Sequence, residues 1–155
     1  MTQARSAILS LALVMLAAAS ARVDAADLSD WWITPGAVSY HVANRDHLNQ
    51  IHPGLGVEYH FKPDWTLVGG TYKNSNYRWS EYFGANWTPL ALGPAKIGLT
   101  AQVANHYNAA REGGPFLFAA PVISFEGSRF GANIYVIPTL RNVTGAVALQ
   151  LKFRL

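Results

Sequence analysis

The stretch GGTYKNSNY, Gly69–Tyr77, closes on a small polar knot whose serine is either a turn residue or a reagent. Asn, Ser and Gly are the usual residues of hairpin loops, so turn-making is the plain reading. A serine hydroxyl is a weak nucleophile at its own pKa and needs a base beside it. The sequence holds five histidines and no cysteine. A thiol nucleophile, a thiolate metal site and a disulfide framework are therefore all excluded. His41, His47 and His52 are spaced closely enough to consider a metal site on one loop. Nothing nearby completes a ligand set, and loop histidines at this spacing are more often solvated.

The elements that must carry these residues come from the rest of the pattern. Arg5, the apolar run Ala7–Ala19 and the small residues after it read as a secretory signal peptide spanning 1–25. Cleavage is expected after Ala21 or Ala25, and the run is too short for a membrane helix. The remainder, 26–155, is long enough for one domain. From Ala26 onward ten Lys/Arg face eight Asp/Glu without forming a basic stripe, which argues against a nucleic-acid partner. An exported chain that is 50% hydrophobic yet lacks a spanning helix points to a closed β-barrel in the outer membrane.

Turn residues punctuate the chain at short intervals, and between them the pattern alternates with period two. Strands are expected near Thr34–Val42, Pro53–Phe61, Trp65–Lys73, Arg78–Trp87, Ala95–His106, Pro115–Phe125, Arg129–Ile137 and Val143–Leu155. These eight segments of about ten residues each match a tilted transmembrane strand. The fold class is thus all-β, an eight-stranded antiparallel up-and-down transmembrane barrel, expected to be a monomer. Val147, Leu149, Leu151, Phe153 and Leu155 form an aliphatic face suited to lipid. Trp31, Trp32, Tyr40, Trp65, Trp79, Trp87 and Tyr107 cluster near strand ends, as interfacial girdles do. Short turns on the periplasmic side and longer loops outside put His41, Asn74, Ser75 and His106 at the outer rim. Thr88–Pro94 is long for a periplasmic turn on this scheme.

Alternation also assigns the interior. Ala146, Ala148, Gly54, Gly56, Tyr135 and Ile137 fall in its upper half. Gln150, Lys152, Arg154, Glu58, His60, Asn133 and Arg129 fall below. Charges of both signs there are expected to pair, because an unpaired buried charge is costly. An apolar upper cavity over a polar floor suits one hydrocarbon chain, with Gly54, Gly56, Ala146, Ala148 and Tyr135 lining it. Pro121 inside strand six and Pro138 at the end of strand seven remove ladder donors, which weakens the wall between those strands.

These residues together resemble a family, the lipid A palmitoyltransferases (PagP-like barrels) of the outer membrane. The segment Pro115–Pro138, PFLFAAPVISFEGSRFGANIYVIP, is similar to that family's strand-six to strand-seven hairpin. Ser39-Tyr40-His41 resembles its first strand, Asn74-Ser75 stands where the family has Asp-Ser, and Trp87-Thr88-Pro89-Leu90 is similar to its Trp-x-Pro-Leu. The resemblance implies an acyltransferase that moves a palmitoyl chain from the sn-1 position of a glycerophospholipid to lipid A, a modification of lipopolysaccharide. It implies no cofactor and no metal. His41 would be the general base and Ser75 the essential hydroxyl, as nucleophile or as activator of the acceptor. Pro121 and Pro138 would flank a lateral lipid gate. Asn74 replaces the family's aspartate, so an amide would have to orient the histidine, with Asp46 as another source of charge. A family arginine on strand five is replaced, with His106 as the candidate substitute. The family's N-terminal amphipathic helix is reduced to Ala26–Trp32.

Two rival readings use the same barrel. A non-enzymatic role in adhesion, resistance or structure accounts for the girdles but not for the histidine–serine pair or the two prolines. A lipid A deacylase would need a histidine near the last strands, and Arg129–Leu155 contains none.

Overall fold

A computed structural model describes residues 30–43, 45–108, 113–140 and 143–155. The signal-peptide reading of 1–25, with its two cleavage sites, lies outside them. The chain forms eight strands: β1 Trp31–His41, β2 Ile51–Lys62, β3 Trp65–Lys73, β4 Trp79–Leu92, β5 Ala95–Ala104, β6 Phe116–Glu126, β7 Phe130–Ile137 and β8 Ala146–Arg154. Each pairs antiparallel with its neighbours, and β8 returns to β1, so the barrel is closed in up-and-down order. Closure leaves no free sheet edge apart from the upper parts of β6 and β7, and an all-β chain can then sit in lipid with the rest of its strand backbone paired. Val38, Leu55, Val57, Leu99, Val103, Leu117, Val147, Leu149 and Leu151 all face outward and exposed. A closed eight-stranded barrel with such a wall is the architecture of an outer-membrane protein.

The expected segments match the strands with two instructive differences. β4 does not stop at Trp87: it bulges between Trp87 and Leu90 and then pairs Leu90 with Ile97 and Leu92 with Ala95. Thr88–Pro94 is thus mostly strand, and the turn below is Gly93-Pro94, as short as a periplasmic turn should be. β5 in turn ends at Ala104, so His106 lies beyond it, with a left-handed φ of 62°.

Strand β1 contains the feature that aims the site. Its register shifts between Thr34 and Gly36 against β2, and Gly36 takes φ 122°. Trp32 and Thr34 face the lumen before this bulge; past it the lumen-facing residues are Ala37, Ser39 and His41. Unbroken alternation from Thr34 would have turned His41 to lipid; the inserted residue reverses the parity.

The lower lumen is a paired polar floor, as the sequence led one to expect. Lys152 Nζ reaches Glu58 Oε2 at 2.9 Å, Glu126 Oε1 at 2.7 Å and Ser124 Oγ at 3.0 Å. Lys96 meets the other Glu126 oxygen at 3.0 Å, and His60 lies 3.2 Å from Glu126. Asn133 donates to Glu58. The Arg154 guanidinium stacks on the Trp32 ring at 4.6 Å. A cavity of about 410 Å³, lined by Trp32, His60, Lys96, Glu126 and Arg154 among others, opens at this end. Three sequence assignments are corrected. Arg129 precedes β7 and is exposed, and Gly131 takes the lumen position. Trp32 is buried inside rather than in a girdle. Tyr107 turns inward to Tyr72, hydroxyl to hydroxyl at 2.6 Å. The girdle at the turn end is instead built from stacked pairs, Trp31 with Tyr59 and Trp65 with Trp87, together with Phe130 against Phe153.

Candidate active site

His41 ends β1 and Ser75 is the second residue of the β3–β4 loop, and the barrel brings them together at the loop end. His41 Nε2 lies 3.0 Å from Ser75 Oγ. His41 is 4% exposed, whereas Ser75 is half-buried, so the hydroxyl is the accessible member. The two strands that carry them are separated by β2, and the loops close that distance. The Asn49 backbone N–H donates to the Ser75 carbonyl at 2.9 Å, which ties the β1–β2 loop to the β3–β4 loop.

Asn74 is beside this pair in sequence but faces elsewhere. Its Oδ1 accepts from the backbone N–H of Asn76 at 2.8 Å and of Arg78 at 3.1 Å. Its Nδ2 donates to Ser80 Oγ at 2.8 Å and to the His106 carbonyl at 2.9 Å. Fully buried and fully bonded, it holds the turn that presents Ser75, and its amide does not take an aspartate's position beside the ring. Asp46 lies exposed in a single 3-10 turn, Arg45–His47. His106 pairs loosely with Glu81, 3.9 Å away, and contributes its carbonyl to Asn74.

The residue facing the other side of His41 is Gln50, which the sequence reading did not single out. Gln50 Oε1 lies 3.2 Å from His41 Nδ1 and accepts the His41 backbone N–H at 3.3 Å. Ser39 Oγ is 3.5 Å from the same Nδ1 and 2.7 Å from His52 Nε2. His52 Nδ1 in turn meets the Lys73 carbonyl at 2.8 Å. His52 thus spends both ring nitrogens on the protein, and His47 is exposed. Among the described residues no group of histidines and carboxylates could hold a metal. No local motif marks Gln50; only the cross-strand register does.

Below the pair, the upper lumen mixes small and aromatic residues. Ala146 is buried, while Ala148, Gly54 and Tyr135 are half-buried and lumen-facing. Gly56 is fully enclosed: a Cβ there would stand 2.2 Å from the Tyr82 hydroxyl, so glycine is what lets this phenol cross the lumen. The Tyr135 hydroxyl lies 3.3 Å from both Gln150 Oε1 and Asn133 Nδ2, joining the upper lumen to the floor. Near the rim, burial pushes the Tyr107 phenol up to about 12, so it stays neutral and offers no base.

The wall is incomplete beside this lumen. The β6–β7 ladder runs only from Glu126–Gly131 up to Val122–Tyr135. Above it, Phe116–Pro121 of β6 pair with β5 alone, and Val136 and Ile137 of β7 pair with β8 alone. Pro121 is the first residue past the last rung on β6, and Pro138 follows the last residue of β7. Neither can donate a ladder hydrogen bond. The register runs from His41 to Ala146 to Ile137, so the histidine and the open half lie at one end, two strands apart.

The fold defines the class: a small outer-membrane-type barrel with a histidine–serine pair at its loop-end mouth. No family model matches the chain, and no curated protein matches it.

Proposed function

We propose that this protein is an outer-membrane acyltransferase of a Gram-negative bacterium, exported by a cleaved signal peptide. It moves a palmitoyl chain from a glycerophospholipid to lipid A. The observation that carries the reading is the 3.0 Å contact between His41 Nε2 and Ser75 Oγ at the mouth where the β6–β7 ladder stands open. A base–hydroxyl pair of this kind at a lipid surface is suited to attack on an ester, and the open half supplies a side entrance. The missing rungs leave a side opening, and a phospholipid acyl chain enters there between Pro121 and Pro138, its tail passing toward Ala146, Ala148, Gly54 and Tyr135.

The chemistry runs in two transfers. Ser75 Oγ attacks the sn-1 ester carbonyl while His41 Nε2 takes the hydroxyl proton. The carbon–oxygen bond to glycerol breaks, and the proton passes from His41 to the departing lysophospholipid oxygen. A lipid A hydroxyl then gives its proton to His41 and attacks the acyl-serine. The bond from the acyl carbon to Ser75 Oγ breaks, and Oγ takes that proton back from His41, which restores the pair. No redox partner or cofactor enters this balance.

The test is expression of the whole chain in a strain whose lipid A lacks the added chain, followed by mass spectrometry of lipid A. One added palmitate is expected. Unmodified lipid A from a correctly inserted barrel sinks the proposal and leaves a non-enzymatic role.

A further inference from the structure

We infer that Gln50 is the positioning residue that sets the tautomer of His41, in the place a carboxylate holds in a serine–histidine–aspartate relay. This rests on the reading of His41 as the base for Ser75. A neutral imidazole carries its proton on one nitrogen only, and only the bare nitrogen can take a proton from serine.

The orientation of the Gln50 amide follows from the backbone. Its Oε1 accepts the His41 backbone N–H at 3.3 Å, and the flipped amide would set donor against donor. Gln50 Nε2 meanwhile donates to the Leu48 carbonyl at 3.4 Å. With Oε1 3.2 Å from Nδ1, the ring proton belongs on Nδ1. Nε2 is then bare and 3.0 Å from Ser75 Oγ, the arrangement a general base requires.

A second path leads to the same tautomer. The Lys73 carbonyl can only accept, so His52 Nδ1, 2.8 Å away, carries that ring's proton. His52 Nε2 then accepts the Ser39 hydroxyl proton across 2.7 Å. Its proton committed, Ser39 Oγ presents only lone pairs to His41 Nδ1, 3.5 Å away. Both neighbours of Nδ1 are acceptors, but Ser39 at 3.5 Å is too far to hold the proton alone, so Gln50 at 3.2 Å sets the tautomer. The two histidine–carboxylate pairs among the described residues involve His60 and His106, not His41. An amide in this place aims the ring but adds no negative charge to stabilise an imidazolium, so the base is well oriented and electrostatically modest.

The test is nitrogen-15 NMR of the full chain, labelled at histidine and folded in detergent micelles, with His41 assigned by its loss in His41→Ala. The wild type should show neutral His41 protonated at Nδ1. In Gln50→Leu the ring should shift toward the Nε2-protonated form, and kcat should fall on the order of 10–100-fold with little change in KM, the range for losing a histidine's orienting partner. Gln50→Glu should keep the Nδ1 proton and raise the titration midpoint of His41 by about one unit or more, because an opposite charge now faces the ring. Nδ1 protonation persisting in Gln50→Leu, or an Nε2-protonated wild type, overturns the assignment. Should Gln50→Leu not fold, an unshifted His41 in Gln50→Glu overturns it instead. A wild type with the expected tautomer and its expected response but no acyl transfer refutes the transferase reading while Gln50 keeps its role.

Discussion

Lys152 Nζ lies 2.9 Å from Glu58 Oε2 in the lower lumen, with both side chains almost wholly shut off from solvent. The same ammonium holds Glu126 and Ser124, so three strands converge on one cation. Removing it leaves two carboxylates facing each other without their shared partner. Lys152→Met should therefore destabilise the barrel by about 3–5 kcal/mol. Urea unfolding in detergent, followed by tryptophan fluorescence, measures this. Glu58→Gln should cost less, because Lys152 keeps Glu126; equal losses would show that the pair is not the source.

His41→Ala and Ser75→Ala should each abolish acyl transfer while the barrel folds normally. Both residues are at the rim and neither belongs to the floor network. Lipid A mass spectrometry reads the first effect, and heat-modifiable electrophoretic mobility the second. If Ser75 is the nucleophile, an acyl adduct on Ser75 should appear by mass spectrometry when phospholipid is supplied without lipid A.

Asn74→Asp should lower activity and stability, although it places an aspartate where the family that the sequence resembles carries one. The Asn74 amide nitrogen donates to Ser80 Oγ and to the His106 carbonyl. A carboxylate loses both donors and turns an oxygen toward that carbonyl, a cost of about 1–3 kcal/mol for a buried group left unsatisfied. Thermal unfolding and the transfer rate of the variant check this. A faster, equally stable enzyme would mean that the turn adapts and that Asn74 does not hold it.

Closing the open half of the β6–β7 ladder should block transfer. Val122 pairs with Tyr135, so the next antiparallel positions are Pro121 and Val136. The chain has no cysteine of its own. Pro121→Cys with Val136→Cys, once oxidised, should stop acyl transfer, and a reductant should restore it. Transfer that persists in the oxidised double variant rules out entry between these strands.

Period-two alternation is local, and the sequence alone was enough for eight strands, the outward aliphatic face of β8 and the lower set of charges on β2 and β8. Loop lengths then put His41 and Ser75 at one rim. What local pattern cannot contain is parity after a bulge and register between strands. The extra residue at Pro35–Gly36 decides that His41 faces the lumen, and one at Trp87–Leu90 carries β4 down to Leu92. Trp32 and Tyr107 have girdle composition but are drawn inside by Arg154 and Tyr72. Gln50 has no motif at all. It meets His41 because the β1–β2 pairing folds the loop back beside the ring, a contact set by hydrogen bonds nine residues apart. Strand identity is written residue by residue; the partner of a base is fixed only when the barrel closes.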